Sequence, residues 1–382
     1  MNITVSPEKL HGSIDAIPSK SQAHRLLICA AFADATTTLI CPETNRDMEA
    51  TAACLRALGA QIERTEQGYF VTPIRQIPTT ATLPCCESGS TLRFLLPVVG
   101  ALGVDATFIL EGRLADRPLS PLWEEMERMG CSLSRPTITT VRCTGKLNNG
   151  EYIIDGSISS QFITGLMFAH MLMENCNLII TGKLESKPYV DLTKATLSLF
   201  PEHHSPDSVA VEGDWSNAAF FLAAKALGSD LEVNNLNDTS TQGDRAVADL
   251  LPLLQRTNPT ISAADIPDLV PILSVVAAAN NGAVFTDIQR LRLKESDRVA
   301  SVIAMLEALG GSTSATEDTL TIYPAQLHGG IVDSCNDHRI AMSAAIAATI
   351  CNGPVTILGA ESVNKSYPTF WAEFRRLGGK YE

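Results

Sequence analysis

Positive charge is in short supply. Lys and Arg number 29 against 42 Asp and Glu, a formal net charge of −13 at pH 7 over 382 residues. A general nucleic-acid binder needs a basic face, so that class is disfavoured. No Cys-x-x-Cys pair occurs among the ten cysteines, and His203-His204 has no ligand-like neighbour in sequence. No metal site is therefore expected, and the thiols read as buried and free in a reducing compartment. Long apolar runs are missing too: the most apolar, Leu269 to Ala279, falls short of the ~20 residues a membrane helix needs. The stretch Met1 to Leu10 carries Glu8 and Lys9 and does not read as a signal peptide. The expectation is a cytoplasmic protein with neither membrane nor nucleic-acid partners. Aromatics reach only 5%, yet 45% hydrophobic and 19% charged residues describe a globular chain, not a disordered one. The length exceeds what one core usually organises, so two domains are the default.

One phrase recurs along the chain. A helical run ends in an apolar-x-x-apolar-Gly pattern, and a strand, a polar hairpin and a second strand follow. It ends at Gly59 (then Gln61 to Val71), Gly130 (then Cys131 to Val141) and Gly310 (then Ser312 to Tyr323), and the helical part returns at Phe374 to Gly378. Apolar residues at i, i+3 and i+4 bury one helical face, and the glycine supplies the left-handed residue that stops the helix. Alternation such as Thr319-Leu320-Thr321-Ile322-Tyr323 reads as a half-buried strand. Two further units fit between Gly130 and Gly310, where Lys194 to Phe200 and Ala246 to Gln255 are helical runs. Six α/β units in two sets of three suit two globular domains.

Cations recur at helix starts and turns of this acidic chain. Ser19-Lys20-Ser21 and Arg25 open the first helical run, where backbone N–H groups and the dipole favour an anion. A similar small-residue entry stands at Glu87-Ser88-Gly89-Ser90-Thr91 before Arg93, with Gly89 able to let a ligand approach the backbone. It is not a P-loop, for no Gly-Lys-Ser/Thr ending is present. Arg117-Pro118, Gly156 to Phe162, Ser186-Lys187-Pro188-Tyr189, the run Arg290, Arg292, Lys294 and Arg298, Asp337-His338-Arg339 and Lys365 continue the pattern. Any one of these segments reads equally as a solvated face. Together they suit a cleft between domains that grips a small polyanion.

Taken in order, these segments resemble the 5-enolpyruvylshikimate-3-phosphate synthase family of enolpyruvyl transferases. The resemblance rests on Ser19-Lys20-Ser21 with Arg25, Gly89-Ser90-Thr91 with Arg93, Arg117-Pro118, Gly156 to Phe162 and Ser186 to Tyr189. It continues through Glu212-Gly213-Asp214, Gln242-Gly243-Asp244, Ile266-Pro267-Asp268, Leu293 to Arg298 and Asn336 to Met342. It implies an α/β fold of two domains, each of three repeated βαβαββ units around buried helices. Residues 14–211 would form one domain and residues 1–13 with 212–382 the other, with the active site in the cleft between them. The chain departs from the family in being short, with Phe200 to Val209 as one compacted stretch. Glu87 and Ser88 replace commoner family residues, and Arg290 stands where an Asn often contacts substrate.

The implied reaction moves the enolpyruvyl group of phosphoenolpyruvate to the 5-hydroxyl of shikimate 3-phosphate through a tetrahedral intermediate. No metal or organic cofactor takes part, and a monomer is expected. Carried over by resemblance, phosphoenolpyruvate falls to Lys20, Gly89, Arg117, Gln161, Arg298, Arg339 and Lys365. Shikimate 3-phosphate falls to Lys20, Ser21, Arg25, Ser159, Ser160, Gln161, Ser186, Tyr189, Asp268 and Lys294. Asp268 is the candidate base; Glu295 and Lys20 are alternative proton donors. Three rivals stand beside this reading. The sister transferase acting on UDP-N-acetylglucosamine carries a reactive Cys before its Arg-Pro pair, and Gly112 occupies about that place here. A cyclase of RNA 3′-phosphate ends shares the repeat idea, but the −13 charge counts against it. A non-catalytic phosphate-binding α/β repeat scaffold would need neither Asp268 nor Glu295.

Overall fold

The structure is a computed structural model that describes all 382 residues. Capping logic sets the helix starts. Ser19 accepts from Gln22 N to open the helix Lys20–Ala31, Ser88 accepts from Thr91 N for Gly89–Leu102, and Asp337 accepts from Arg339 N for His338–Ala348. The recurrent glycines end helices as expected: Gly59, Gly130, Gly310 and Gly378 have φ of 108°, 110°, 80° and 94°. Behind the first three come the antiparallel hairpins Gln61–Arg64 with Gly68–Thr72, Cys131–Ser134 with Thr140–Gly145, and Ser312–Ala315 with Thr319–Tyr323.

The chain divides into two compact units, residues 1–17 with 212–382 and residues 18–211. The first crossing falls between Ile17 and Pro18, a few residues past Ser13. The cause is the strand His11–Asp15, which pairs in parallel with Asp230–Asn234, and Ala16 N then bonds Asn234 O. Asp214 N also bonds Ile17 O, so the outgoing and returning segments are tied together inside one unit.

Each unit holds three parallel strand pairs. In the 18–211 unit these are Ser208–Ala210 with Thr37–Ile40, Thr80–Cys86 with Asp105–Leu110, and Gly150–Asp155 with Cys176–Thr181. In the other they are His11–Asp15 with Asp230–Asn234, Thr260–Ser262 with Ala283–Thr286, and Gly330–Asp333 with Val355–Leu358. Three of the pairs are extended by a hairpin into four-stranded sheets of one common order. The pair Gly330–Asp333 with Val355–Leu358 gains Asn2–Val5 from the chain's start. The remaining two stay two-stranded. After the helix Lys187–Ser198 the chain passes through a single 3-10 turn to Ser208–Ala210, and after Val247–Arg256 it runs straight into Thr260–Ser262. The stretch Phe200 to Val209 therefore marks one missing hairpin, and a second is missing after Arg256, where the repeat is abbreviated again.

Each unit has its own core. Phe94, Phe108, Phe162 and Phe168 are buried in one; Phe220, Phe221, Phe285 and Phe370 are buried in the other. Full burial of such a side chain is worth roughly 1.5–3 kcal/mol. The helix Val270–Ala279 is buried on every side, which explains its uninterrupted apolar sequence. No helix is long and apolar enough to cross a membrane.

Candidate active site

In the 18–211 unit the expected anion-binding residues gather around four helix starts. Arg25 is 2% exposed and fully engaged. Its Nε donates to Thr193 Oγ1 at 2.8 Å, one Nη to Ser21 O at 2.5 Å, and the other to Tyr189 O at 2.9 Å. It also lies 5.0 Å over the Phe94 ring. Burial pushes its pKa down to about 10, so it stays charged at neutral pH. Thus Ser21, Arg25 and Tyr189 are brought together. Ser186 enters the helix Lys187–Ser198 in a left-handed conformation, φ 54°. Lys20 pairs with Asp47 at 3.0 Å, a partner the sequence did not suggest.

The second helix start is crowded by guanidinium groups. A Cβ added to Gly89 would lie 2.6 Å from Arg117 Nη1 and 2.7 Å from Arg93 Nη1. Gln161 joins them, accepting from Arg93 at 2.9 Å and donating to Ser90 Oγ at 3.1 Å. Ser159 caps the helix that begins at Ser160, accepting from Gln161 N at 3.3 Å. Gly89, Arg117, Ser159, Ser160 and Gln161 therefore share one neighbourhood. Arg93 belongs to it as well, although it was read only as part of a motif.

The other unit holds the denser charge cluster. Arg298, 1% exposed, donates from Nε to Asp337 Oδ2 at 2.8 Å, from Nη1 to Asp268 Oδ1 at 2.5 Å and from Nη2 to Glu295 Oε2 at 2.7 Å. Arg339 Nη2 reaches Asp268 Oδ2 at 3.0 Å and Ser216 Oγ at 2.8 Å. Lys294 Nζ stands 3.6 Å from Asp268 Oδ1. Asp268 is thus the shared counter-ion of three cations. Burial alone would raise its pKa, but Arg339, Lys294 and Arg298 together hold it well below the usual carboxylate range. Burial also pushes Lys294 down to about 8, against the opposing pull of Asp268. Lys365 donates to Asn336 O at 2.8 Å, in the turn that precedes the Asp337 cap.

Two residues of this cluster were missed as site candidates. Asp337 both caps its helix and anchors Arg298 and Ser296. Asp244 bonds Ser216 and is pushed up to about 6 by burial and by the charge of Asp268. Its only sequence signal was the phrase Gln242-Gly243-Asp244. No group of three or more His, Cys, Asp and Glu side chains is placed to hold a metal ion.

The chemistry of such a cluster is recognition of phosphate and carboxylate by planar forks and a point charge, beside carboxyls that can exchange protons. Comparison with known proteins agrees. A family model described as EPSP synthase (3-phosphoshikimate 1-carboxyvinyltransferase) matches residues 5–203 and 193–374. The protein named 3-phosphoshikimate 1-carboxyvinyltransferase from Clostridium novyi (strain NT) is 35% identical over 424 aligned residues, covering 99% of this chain and 98% of its own. Its namesake from Clostridium botulinum (strain Eklund 17B / Type B) is 36% identical over 421 residues, covering 99% and 97%. Among solved structures, EPSP synthase from Acinetobacter baumannii matches with a TM-score of 0.80 at 24% identity, covering 100% of this chain and 99% of that one. The enolpyruvyl transferase NikO from Streptomyces tendae matches with a TM-score of 0.72 at 18% identity, covering 100% and 98%. At those identities the structures speak for the fold alone; the family model and the sequence relatives decide the family. The chain belongs to the EPSP synthase (3-phosphoshikimate 1-carboxyvinyltransferase) family.

Proposed function

We propose that this protein transfers the carboxyvinyl group of phosphoenolpyruvate to the 5-hydroxyl of shikimate 3-phosphate and releases phosphate, a step of chorismate and aromatic amino-acid biosynthesis. The observation that carries the reading is Asp268 held among Arg298, Arg339 and Lys294. The substrates bring two phosphates and two carboxylates. An anion arriving at Arg339 and Lys294 competes with Asp268 for them. As its cations are drawn off, the Asp268 carboxylate becomes a stronger base and takes the proton of the attacking 5-hydroxyl. Glu295 or Lys20 then delivers a proton to the methylene carbon of phosphoenolpyruvate. The adduct then returns a proton from its new methyl group to that same side chain as phosphate leaves, which restores the carbon–carbon double bond.

In this proposal phosphoenolpyruvate contacts Lys20, Gly89, Arg117, Gln161, Arg298, Arg339 and Lys365. Shikimate 3-phosphate contacts Lys20, Ser21, Arg25, Ser159, Ser160, Gln161, Ser186, Tyr189, Asp268 and Lys294. The reaction needs no metal or organic cofactor, and the protein works as a cytoplasmic monomer.

One feature argues against UDP-N-acetylglucosamine as the acceptor. Gly112 has φ 51°, and a Cβ there would overlap Glu87 Oε1. The reactive Cys of the sister transferase has no room at that position while Glu87 stays in place. The test is phosphate release and product mass with phosphoenolpyruvate plus either acceptor. The proposal requires turnover with shikimate 3-phosphate and none with UDP-N-acetylglucosamine; the reverse pattern overturns it.

A further inference from the structure

A file of buried hydroxyls links the helix Lys20–Ala31 to the head of the helix Gly89–Leu102. His24 Nδ1 lies 2.7 Å from Thr51 Oγ1, Thr51 Oγ1 lies 2.6 Å from Thr91 Oγ1, and Thr91 Oγ1 donates to Ser88 Oγ at 2.7 Å. All four residues are inaccessible to solvent, at 0% exposure. None belongs to the substrate contacts proposed above.

The direction of the file follows from counting protons. Thr91 has one hydroxyl proton and gives it to Ser88, so it must accept from Thr51. The Thr51 proton is then used, so Thr51 must accept from His24, and the imidazole proton sits on Nδ1. That leaves His24 Nε2 as a bare acceptor, and it is indeed buried with no hydrogen-bond partner. Burial first, then the charges of Lys20 and Arg25, hold the His24 pKa well below its ordinary value, so the ring is neutral and one tautomer prevails.

The far end of the file is a helix cap. Ser88 Oγ accepts twice, from Thr91 Oγ1 and from Thr91 N at 3.2 Å. With the cap pinned, the N–H groups of Gly89 and Ser90 open the helix, where no intrahelical acceptor exists and an anion is favoured. Ser90 Oγ accepts from Gln161, and Gly89 abuts Arg117.

We propose that His24 is a positioning residue for the phosphoenolpyruvate end of the reaction. Through Thr51, Thr91 and Ser88 it holds the head of the Gly89–Leu102 helix so that the Gly89 and Ser90 N–H groups face the substrate's anionic group. His24 touches no substrate itself. The inference rests on the carboxyvinyl-transfer reading above.

Steady-state kinetics on the full-length protein test it with a graded pair. Thr51→Val removes the relay hydroxyl at nearly constant shape, and Thr51→Ser keeps it. Thr51→Val should raise KM for phosphoenolpyruvate about tenfold, the factor one buried hydrogen bond commands. KM for shikimate 3-phosphate should stay within about twofold, and Thr51→Ser should restore the phosphoenolpyruvate value. His24→Asn, which presents an amide N–H near the place of Nδ1, should fall between wild type and His24→Leu. An unchanged phosphoenolpyruvate KM in Thr51→Val, an equal rise for both substrates, or no rescue by Thr51→Ser overturns the proposal. 15N NMR of the histidine rings supplies a second readout that does not depend on turnover. A proton on His24 Nδ1 supports the file, and a proton on Nε2 overturns its direction. A wild-type protein that binds neither substrate overturns the carboxyvinyl-transfer reading instead, and with it the ligand named here.

Discussion

Replacing Asp268 by Asn removes one charge and almost no volume. The carboxylate is 2.5 Å from Arg298, 3.0 Å from Arg339 and 3.6 Å from Lys294. Each such pair carries about 4 kcal/mol of gross Coulomb attraction at an effective dielectric near 20, and desolvation offsets most of it. Arg298 keeps Asp337 and Glu295, so the variant should fold. Two effects then separate. Anion affinity should hold or rise by up to about tenfold, because substrate no longer competes with an internal carboxylate. Turnover should fall ~10²–10⁴-fold, the usual worth of a general base. A third effect concerns pH. Lys294 titrates at about 8, pushed down by burial and held up by Asp268. Losing the Asp268 charge removes the upward pull, so Lys294 must lose its proton at lower pH. The alkaline limb of kcat/KM, which reports the enzyme before substrate binds, should shift to lower pH. Phosphate-release kinetics from pH 6 to 9.5, with substrate affinities by calorimetry, measure all three. A near-normal kcat, or an alkaline limb that does not move, refutes the reasoning.

Arg339→Lys exchanges a fork for a point charge and should raise KM for phosphoenolpyruvate about tenfold or more, with a smaller effect on shikimate 3-phosphate; equal losses in steady-state kinetics contradict the assignment. Gly89→Ala places a methyl against Arg117 and Arg93, whose side-chain ends can yield, so the melting temperature should change little while KM for phosphoenolpyruvate rises. Gly165→Ala is the opposite case: its Cβ would overlap the carbonyl oxygen of Arg93, which is backbone. It should cost roughly 1–3 kcal/mol in denaturant unfolding, and no loss of stability would count against that helix contact. Asp268 and Asp337 are both held below 3.8 in the folded chain. Groups with depressed pKa values stabilise above their unfolded pKa and lose that contribution as pH falls through the folded value. Protonation of these two carboxylates should therefore lower the melting temperature as pH falls below about 4, and a flat profile from about pH 4.5 down to pH 3 would contradict the ion-pair account.

The repeat was readable because its mark is local. A helix closed by a left-handed glycine and followed by alternating apolar residues is written within about twenty positions. It was unreadable in two units for an equally physical reason. After the helix Lys187–Ser198 and its cap Leu199, Phe200 has φ −123° where the other repeats place a left-handed glycine, and Val247–Arg256 ends at Thr257 in an extended conformation. Neither needs a glycine, because neither turns into a hairpin. The cations of the candidate site stood out in sequence because an acidic chain seldom gathers them at helix starts. Their carboxylate partners did not stand out. Asp47 beside Lys20 lies in the first turn of a helix, and Asp337 beside Arg298 is a helix cap; each has a sufficient local reason to be acidic. The pairings Lys20 with Asp47, Arg298 with Asp337 and Ser216 with Asp244 join segments 27, 39 and 28 residues apart. No period or spacing announces such contacts. The same holds for Thr51, and for Thr91, which read only as part of a small-residue helix entry, until the fold sets their hydroxyls together.

The central claim is that Asp268 exchanges its internal cations for a role as base when anions reach Arg339 and Lys294. Carboxyl 13C NMR of aspartate-labelled protein, titrated with and without shikimate 3-phosphate plus inorganic phosphate, reads this directly, with Asp268→Asn assigning the resonance. The account predicts an Asp268 pKa well below 3.8 for the protein alone and a clear upward shift when both anions are present, as added negative charge and withdrawn cations require. A value that stays low, or that is already ordinary before the anions are added, contradicts it.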